Sequence, residues 1–95
     1  MHAENEEALI AKASDGDLDA FRQLFEHYHA PIYHFVTRMG GNAQDAEDIT
    51  QVVFVRVHRK LASLREARAF SSWLFTTARN ESINHLRRKI KRHLS

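Results

Sequence analysis

The chain has 95 residues, of which 43% are hydrophobic and 27% are charged, so it can form one small domain around a single core. Three Gly and one Pro exclude a linker, a β-sandwich or a disordered tail, and the lack of Cys excludes a disulfide scaffold and a thiol nucleophile. The longest apolar run, residues 52–55, is far shorter than the roughly 20 residues of a membrane span. Since the N-terminus is acidic, unlike a signal peptide, we expect a soluble, cytoplasmic domain without membrane insertion.

Charge is divided unequally along the chain. Residues 1–48 hold ten acidic and three basic side chains, whereas residues 49–95 hold two acidic and eleven basic ones. This separation indicates two faces for two kinds of partner, the basic one for nucleic acid. A dipolar surface that is merely solvated explains the charges equally well, so charge alone leaves both interpretations open.

The apolar spacing predicts an all-α fold, a compact bundle of four helices in one domain over residues 1–95. The helices are expected at about residues 4–14, 17–39, 43–62 and 70–93, with residues 63–69 as a basic loop. Asp17 and Asn42 are placed to cap the second and third helices, and Pro31 is expected to kink the second. The side chains expected to be largely buried are Phe21, Phe25, Phe35, Val53, Val57 and Leu74.

The third helix has two faces when each residue is advanced by about 100°. The apolar stripe consists of Ala46, Ile49, Val53, Val57 and Leu64. The opposite face carries Asp48, Gln51, Val52, Val55, His58 and Arg59, a mixture typical of a protein-contact surface. Packing of Val52 and Val55 under the first helix explains the same periodicity, and the two interpretations are equally supported.

The fourth helix also has two sides. Its core side is predicted to consist of Leu74, Phe75, Ala78, Ser82 and Leu86. Steps of four and three place Trp73, Thr77, Asn80, Asn84, Arg87 and Lys91 on one polar stripe, a set that suits bases and phosphates. Trp73 could instead belong to the core, and basic helix ends often complement the helix dipole. We favour nucleic acid because the stripe shares its helix with five positive charges in residues 87–92.

Residue patterns for catalysis or metal binding are not found in the sequence. It has no Gly-rich phosphate loop and no G-x-S-x-G elbow. His27 and His29 point to different sides of a helix, and His27 and His34 lie two turns apart, so neither pair suits a metal. The acids at residues 45–48 are ordinary for a helix start. We therefore expect no enzyme, no cofactor and no metal site.

Three segments in a defined order carry a resemblance to a known family. They are residues 17–25 (DLDAFRQLF), 45–56 (DAEDITQVVFVR) and 70–80 (FSSWLFTTARN), followed by Leu86-Arg87-Arg88. Together they resemble region 2 of bacterial extracytoplasmic-function (ECF) sigma factors, and the resemblance covers residues 6–92.

The resemblance implies two partners and a set of site residues. In that family the third helix docks on the clamp helices of the largest subunit of core RNA polymerase. The matching residues here are Asp48, Gln51, Val52 and Val55, with Phe54 and Arg59 at the edges. The fourth helix and the preceding loop recognise and melt the −10 promoter element and hold an extruded base of the non-template strand. The residues that match this function are Ser63, Leu64, Arg65, Arg68, Trp73, Thr77, Asn80, Asn84, Arg87, Arg88 and Lys91.

The chain also departs from the family pattern. Val52 stands where the family often has an acid, so polymerase contact would depend more on Asp48, Gln51 and packing, and His58 replaces a frequent aromatic. The helix-turn-helix domain that reads the −35 element in the family is not in this chain, which fits either an isolated domain or a truncated relative.

Two other functions compete with the sigma interpretation. An interaction module that mainly serves as the target of an anti-sigma factor would use the same surfaces. A helix-turn-helix repressor matches less well, because the chain has no short turn leading to a recognition helix.

Overall fold

Helices account for most of residues 3–94, the part of the chain that this computed structural model describes. The elements are α1 (Ala3–Ser14), α2 (Leu18–Arg38), α3 (Ala43–Lys60), two 3₁₀ turns (Leu61–Ser63 and Ala67–Ala69) and α4 (Phe70–Leu94). No strand occurs within the described range. The all-α class is confirmed, and each helix begins and ends within two residues of its predicted bounds.

Local capping explains why these bounds could be predicted. The Asp17 carboxylate accepts the Ala20 N–H at 3.1 Å, and the Asn42 side chain accepts the Asp45 N–H at 2.8 Å, so both helix starts have partnered donors. Gly16 and Gly40 follow α1 and α2 with φ values of 101° and 105°, a backbone region that glycine adopts without steric cost. Between these signals α2 continues as one helix through Pro31.

One apolar core joins the four helices. α1 packs on α2 and on the two 3₁₀ turns, and α3 packs against both α2 and α4. The largest apolar side chains that are fully buried are Leu24, Ile32, Val36, Val53, Val57, Leu61, Phe70 and Leu74. The buried hydroxyls of Thr50 and Ser82 donate to carbonyls one turn back in their own helices, so they add no unpaired polar group to the core.

The predicted burial of Val53, Val57 and Leu74 is confirmed, but that of the phenylalanines on α2 is not. Phe25 is 36% exposed, and Phe21 and Phe35 are only partly buried at the edge of the core. The residues of α2 that enter the core form a strict row at four-residue spacing: Ala20, Leu24, Tyr28, Ile32 and Val36. The three phenylalanines flank this row, so their rings cover its sides.

Of the two interpretations of Val52 and Val55, packing under α1 is wrong. Their side chains are 41% and 51% exposed, and α1 lies instead against α2 and the 3₁₀ turns. Leu64, placed on the apolar stripe by its spacing, is half-buried because it follows the end of α3.

α3 and α4 run antiparallel. Asp45, at the start of α3, meets His85 late in α4, while Lys60, at the end of α3, shares a groove with Trp73 in the first turn of α4. Their polar side chains therefore meet along the length of both helices. None of the helices within residues 3–94 combines the length and apolarity of a bilayer span.

Candidate protein-contact face and nucleic-acid groove

The exposed side of α3, here called the α3 face, consists of Asp48, Gln51, Val52, Val55 and Arg59. Both valines are exposed to solvent. The polar groups around them are the carboxylate of Asp48, the amide of Gln51 and the guanidinium of Arg59. Gln44 donates its side-chain amide to Asp48 Oδ1 at 3.1 Å, which steadies the carboxylate on the surface. Exposed aliphatic groups framed by polar ones are typical of a protein-contact surface.

An aromatic groove of about 510 Å³ lies beside the α3 face, between α2 and α3. Its lining residues are Phe21, Phe25, Gln51, Phe54, Val55, His58 and Arg59. Phe54 is only 5% exposed, and its ring meets the Phe25 ring edge-on, with 4.9 Å between centroids. Phe54, expected at the edge of the contact surface, therefore belongs to the core and also lines the groove beside that surface.

A polar groove of about 300 Å³ lies between α3 and α4. Its lining residues are Arg56, Lys60, Trp73, Thr77, Asn80, Glu81 and Asn84. The structure thus brings together four residues of the polar stripe on α4 and adds two basic side chains from α3. An indole and two amides are groups that bind unpaired bases, and basic side chains bind the phosphates beside them.

Trp73 belongs both to the edge of the core and to the polar groove. Its half-buried indole packs against Phe70, with 6.0 Å between ring centroids, and the residue also lines the groove. Thr77 donates its hydroxyl to the Trp73 carbonyl at 2.9 Å, so the hydroxyl oxygen is left as an acceptor. The two explanations of Trp73 are thus compatible, because core packing holds the indole at the groove wall.

An ion pair crosses the polar groove from Arg56 to Glu81. The Glu81 side chain is 7% exposed, whereas that of Arg56 is 54% exposed. Their charges offset each other, which leaves Lys60 as the uncompensated charge among the lining residues. The sequence analysis did not include Arg56, Lys60 or Glu81 in the site. The four-residue spacing of Arg56 and Lys60, which places both basic side chains on one side of α3, is the signal that could have revealed them.

The other residues expected to contact DNA lie outside the polar groove. Ser63 donates its hydroxyl to the Lys60 carbonyl at 2.6 Å, Leu64 is half-buried and Arg65 is exposed. Arg68 pairs with Glu66 at 3.3 Å and borders a small cavity beside α1. Arg87, Arg88 and Lys91 are exposed on the last turns of α4. The expected site is therefore divided into the groove, the loop and the basic end of α4.

The Asp45 carboxylate on α3 binds two basic side chains on α4. Asp45 accepts hydrogen bonds from Lys89 Nζ at 2.8 Å and from His85 Nε2 at 3.0 Å. The hydrogen bond from Lys89, and next that from His85, lowers the pKa of Asp45 to about 2. Asp45, His85 and Lys89 are called the Asp45 cluster below.

Tyr28 ties α1 to the bundle through its hydroxyl, which donates to the Glu6 carboxylate. Burial, and next the hydrogen bond to Glu6, raises the pKa of Tyr28 to about 12, because both favour the neutral phenol. Among residues 3–94, no three His, Asp or Glu side chains come together in a way that would hold a metal ion.

Residues 3–94 thus form a helical domain that carries an exposed face of the kind typical of protein contacts and a polar groove whose side chains suit unpaired bases. Comparison with known families identifies it further: the Sigma-70 region 2 family matches residues 24–92. The chain therefore belongs to this family, as a region 2 domain of the ECF kind.

Curated relatives support the same placement. The ECF RNA polymerase sigma factor SigW of Bacillus subtilis is 39% identical over 80 residues, which is 84% of this chain and 43% of SigW. The ECF RNA polymerase sigma factor SigM of Mycobacterium tuberculosis is 32% identical over 87 residues, covering 92% of this chain and 44% of SigM. The chain thus spans less than half the length of these relatives.

Solved structures with the same fold include two with bound partners. An engineered region 2 of sigmaE, determined in complex with GTAAAA, superposes with a TM-score of 0.86 at 29% identity and covers 97% of both chains. CnrH, determined in complex with the cytosolic domain of CnrY, superposes with a TM-score of 0.78 at 26% identity, covering 83% of this chain and 51% of CnrH.

Proposed function

We propose that this chain is the part of a transcription initiation factor that binds core RNA polymerase and recognises and melts the −10 promoter element. The α3 face binds the clamp helices of the largest polymerase subunit, and the polar groove, the loop and the basic end of α4 bind the melted non-template strand. The domain works in the cytoplasm as a regulator, without chemistry of its own. Family membership and the sigmaE region 2 complex with GTAAAA support this assignment.

The polar groove is the observation that carries the DNA function. Trp73 offers an aromatic ring for stacking, and Asn80 and Asn84 offer amides that can bond base edges. Because Arg56 and Glu81 offset each other, the interior suits a neutral base better than a phosphate. A base enters such a groove only after leaving the duplex stack, at a cost of about a few kcal/mol, so the groove favours single-stranded DNA.

The exposed cations around the groove supply the phosphate contacts. Lys60, Arg65, Arg87, Arg88 and Lys91 are all exposed. Each phosphate that they neutralise on a single strand contributes about 0.7 to the slope of log affinity against log salt concentration. We therefore expect binding that weakens steeply as salt is added.

Titration of the labelled 95-residue chain into core RNA polymerase tests the protein contact. The variants are Asp48→Arg and Gln51→Ala, and the control is Glu7→Arg, a charge change at an exposed residue of α1, the helix that packs against α2 and the 3₁₀ turns. We expect saturable binding that Asp48→Arg weakens about tenfold or more, since like charges across an interface cost several kcal/mol. Equal binding by wild type and both α3 variants would refute the α3 face as the polymerase contact.

Fluorescence anisotropy with single-stranded and duplex oligonucleotides containing GTAAAA tests the DNA contact, with the chain alone and bound to polymerase. We expect preference for the single strand, and a loss of about fivefold or more for Trp73→Ala, because stacking on one base contributes about 1–3 kcal/mol. Asn84→Ala should also weaken binding, while the exposed α1 control Asn5→Ala should not. Equal affinity for single strand and duplex would indicate a generic basic DNA binder instead.

A second candidate function is that of an anti-sigma target. The aromatic groove adjoins the α3 face and shares Gln51, Val55 and Arg59 with it, so a protein seated there would cover the polymerase contact. The structure of CnrH with the cytosolic domain of CnrY favours this candidate. The polymerase titration separates the two: a folded chain that never binds polymerase, with or without DNA, supports the interaction module over the initiation domain.

A further inference from the structure

The last three turns of α4 extend beyond the core of the bundle. The buried residues of α4 end at Ser82, and Ile90 and Leu94 are 59% and 82% exposed. The 25-residue helix is about 37 Å long, against 47 Å for the longest dimension of the molecule. Of the apolar side chains in residues 83–94, Ile83 and Leu86 are half-buried, so apolar burial holds this segment less firmly than it holds the first half of α4.

The Asp45 cluster fastens this segment to α3. His85 and Lys89 lie one turn apart on one side of α4 and bind the two oxygens of the same carboxylate. Two contacts at this spacing define both the tilt of the segment and its rotation about the helix axis, which one contact could not do.

Asp45 is itself held firmly. Its backbone N–H is bound by the Asn42 cap, and the residue is 9% exposed. A Cβ at Gly41 would lie 3.1 Å from Asp45 Cβ, so glycine leaves the room that this side chain occupies. The anchor point for His85 and Lys89 is thus part of the rigid start of α3.

The cations with the proposed phosphate contacts lie on the other side of the segment. Arg87 follows His85 by two residues, and Lys91 follows Lys89 by two, which rotates each by about 200° from its neighbour in the cluster. Fastening His85 and Lys89 to α3 therefore directs Arg87 and Lys91 away from α3.

We propose that Asp45 is a positioning residue, which holds the basic end of α4 in the orientation that lets Arg87 and Lys91 reach nucleic acid. This inference rests on the proposed function, since it assumes that α4 contacts DNA. A positioning role for Asp45 predicts a change in DNA affinity opposite to the one expected from the loss of its charge alone. Removing a carboxylate about 10 Å from a bound phosphate relieves a Coulomb repulsion and should tighten DNA binding about twofold, whereas loss of positioning should weaken it.

The test compares Asp45→Asn with Glu47→Gln, which removes the same charge from an exposed position on the same helix. Binding to the single-stranded GTAAAA oligonucleotide is measured over a range of salt concentrations, with and without polymerase. We expect Asp45→Asn to bind about fivefold more weakly, with a salt slope smaller by about 1 because roughly one or two phosphate contacts are lost. Glu47→Gln should bind as tightly as wild type or about twofold more tightly. Asp45→Glu, which keeps the charge, should restore most of the affinity.

Hydrogen exchange of the same variants reports on the segment directly. We expect the amides of residues 83–94 to exchange about tenfold faster in Asp45→Asn, while those of residues 70–82 stay protected. If Asp45→Asn does not fold, His85→Ala takes its place, because it removes one of the two hydrogen bonds to Asp45 and leaves α3 unchanged.

The outcomes separate this proposal from the proposed function. Asp45→Asn binding as tightly as Glu47→Gln, with an unchanged salt slope, overturns the positioning role and leaves the DNA function intact. Failure of the wild-type chain to bind single-stranded DNA in either setting refutes the DNA function. In that case, hydrogen exchange that is identical in wild type and Asp45→Asn overturns the fastening role as well.

Discussion

Truncation of Phe70 to Ala should lower the free energy of unfolding more than truncation of Phe25 to Ala. Phe70 is the first residue of α4 and is 1% exposed, with ring centroids 5.5 Å from Tyr28 and 6.0 Å from Trp73. Because the ring is almost fully buried and packs against both Tyr28 and Trp73, its removal leaves a cavity that cannot collapse easily. We expect the free energy of unfolding to fall by about 3–5 kcal/mol, a large part of the total for a domain of this size.

Phe25→Ala is the matched comparison, since the same atoms are removed from a ring that is 36% exposed. About two thirds of the burial of a core phenylalanine is lost, and the space opens to solvent through the aromatic groove. The expected cost is therefore about 1–2 kcal/mol. Each kcal/mol lowers the melting temperature of a 60–100-residue domain by about 4–8 °C, so the two variants should be easily distinguished.

Thermal and urea unfolding followed by circular dichroism measure both values. Leu18→Ala is the control, because Leu18 is 69% exposed and its truncation should change stability by less than about 0.5 kcal/mol. Equal losses for Phe70→Ala and Phe25→Ala would refute the reasoning, since they would mean that α2 turns its phenylalanines into the core.

Three further predictions concern a helix cap and two shifted pKa values. Asn42→Ala removes the acceptor for the Asp45 N–H and should cost about 1 kcal/mol in chemical unfolding. Because the folded pKa of Asp45 lies near 2, below the ordinary 3.8, its ionised form stabilises the fold above pH 3.8, and this contribution is lost as pH falls through 2; Asp45→Asn should lack that part of the acid transition. Because the folded pKa of Tyr28 is raised from 10 to about 12, its stabilisation is complete below pH 10 and is lost as pH rises through 12, and Glu6→Gln should bring phenolate formation to lower pH in an ultraviolet titration.

Each of these predictions has a result that would contradict it. Unchanged stability of Asn42→Ala would mean that the cap is not made in solution. Identical acid unfolding of wild type and Asp45→Asn would show that the Asp45 cluster does not form. A Tyr28 titration that Glu6→Gln leaves unaltered would exclude the hydrogen bond that ties α1 to α2.

The sequence was sufficient for features that depend on neighbours along the chain. Helix ends are set by side chains within three or four residues, such as Asn42 bonding to Asp45, or by a glycine such as Gly40, so their positions could be predicted closely. The opposite sides of α3 follow from helical periodicity. The family follows from the residue types and the order of three motifs, residues 17–25, 45–56 and 70–80, and neither property depends on how the helices pack.

Only the tertiary structure decided what depends on which elements meet. On α2, helical periodicity defines an apolar stripe that is wider than the row of residues that enter the core. Periodicity therefore could not predict that Leu24 would be buried while Phe25 remained 36% exposed, or that Phe54 on α3 would be buried. The Arg56–Glu81 pair and the Asp45 cluster join residues 25 to 44 positions apart, and such pairs form only because α3 and α4 pack antiparallel at one register. Packing also divided the expected DNA site among the polar groove, the loop and the basic end of α4. The polar stripe of α4 is longer than the part of α4 that α3 borders, so its last residues lie outside the groove.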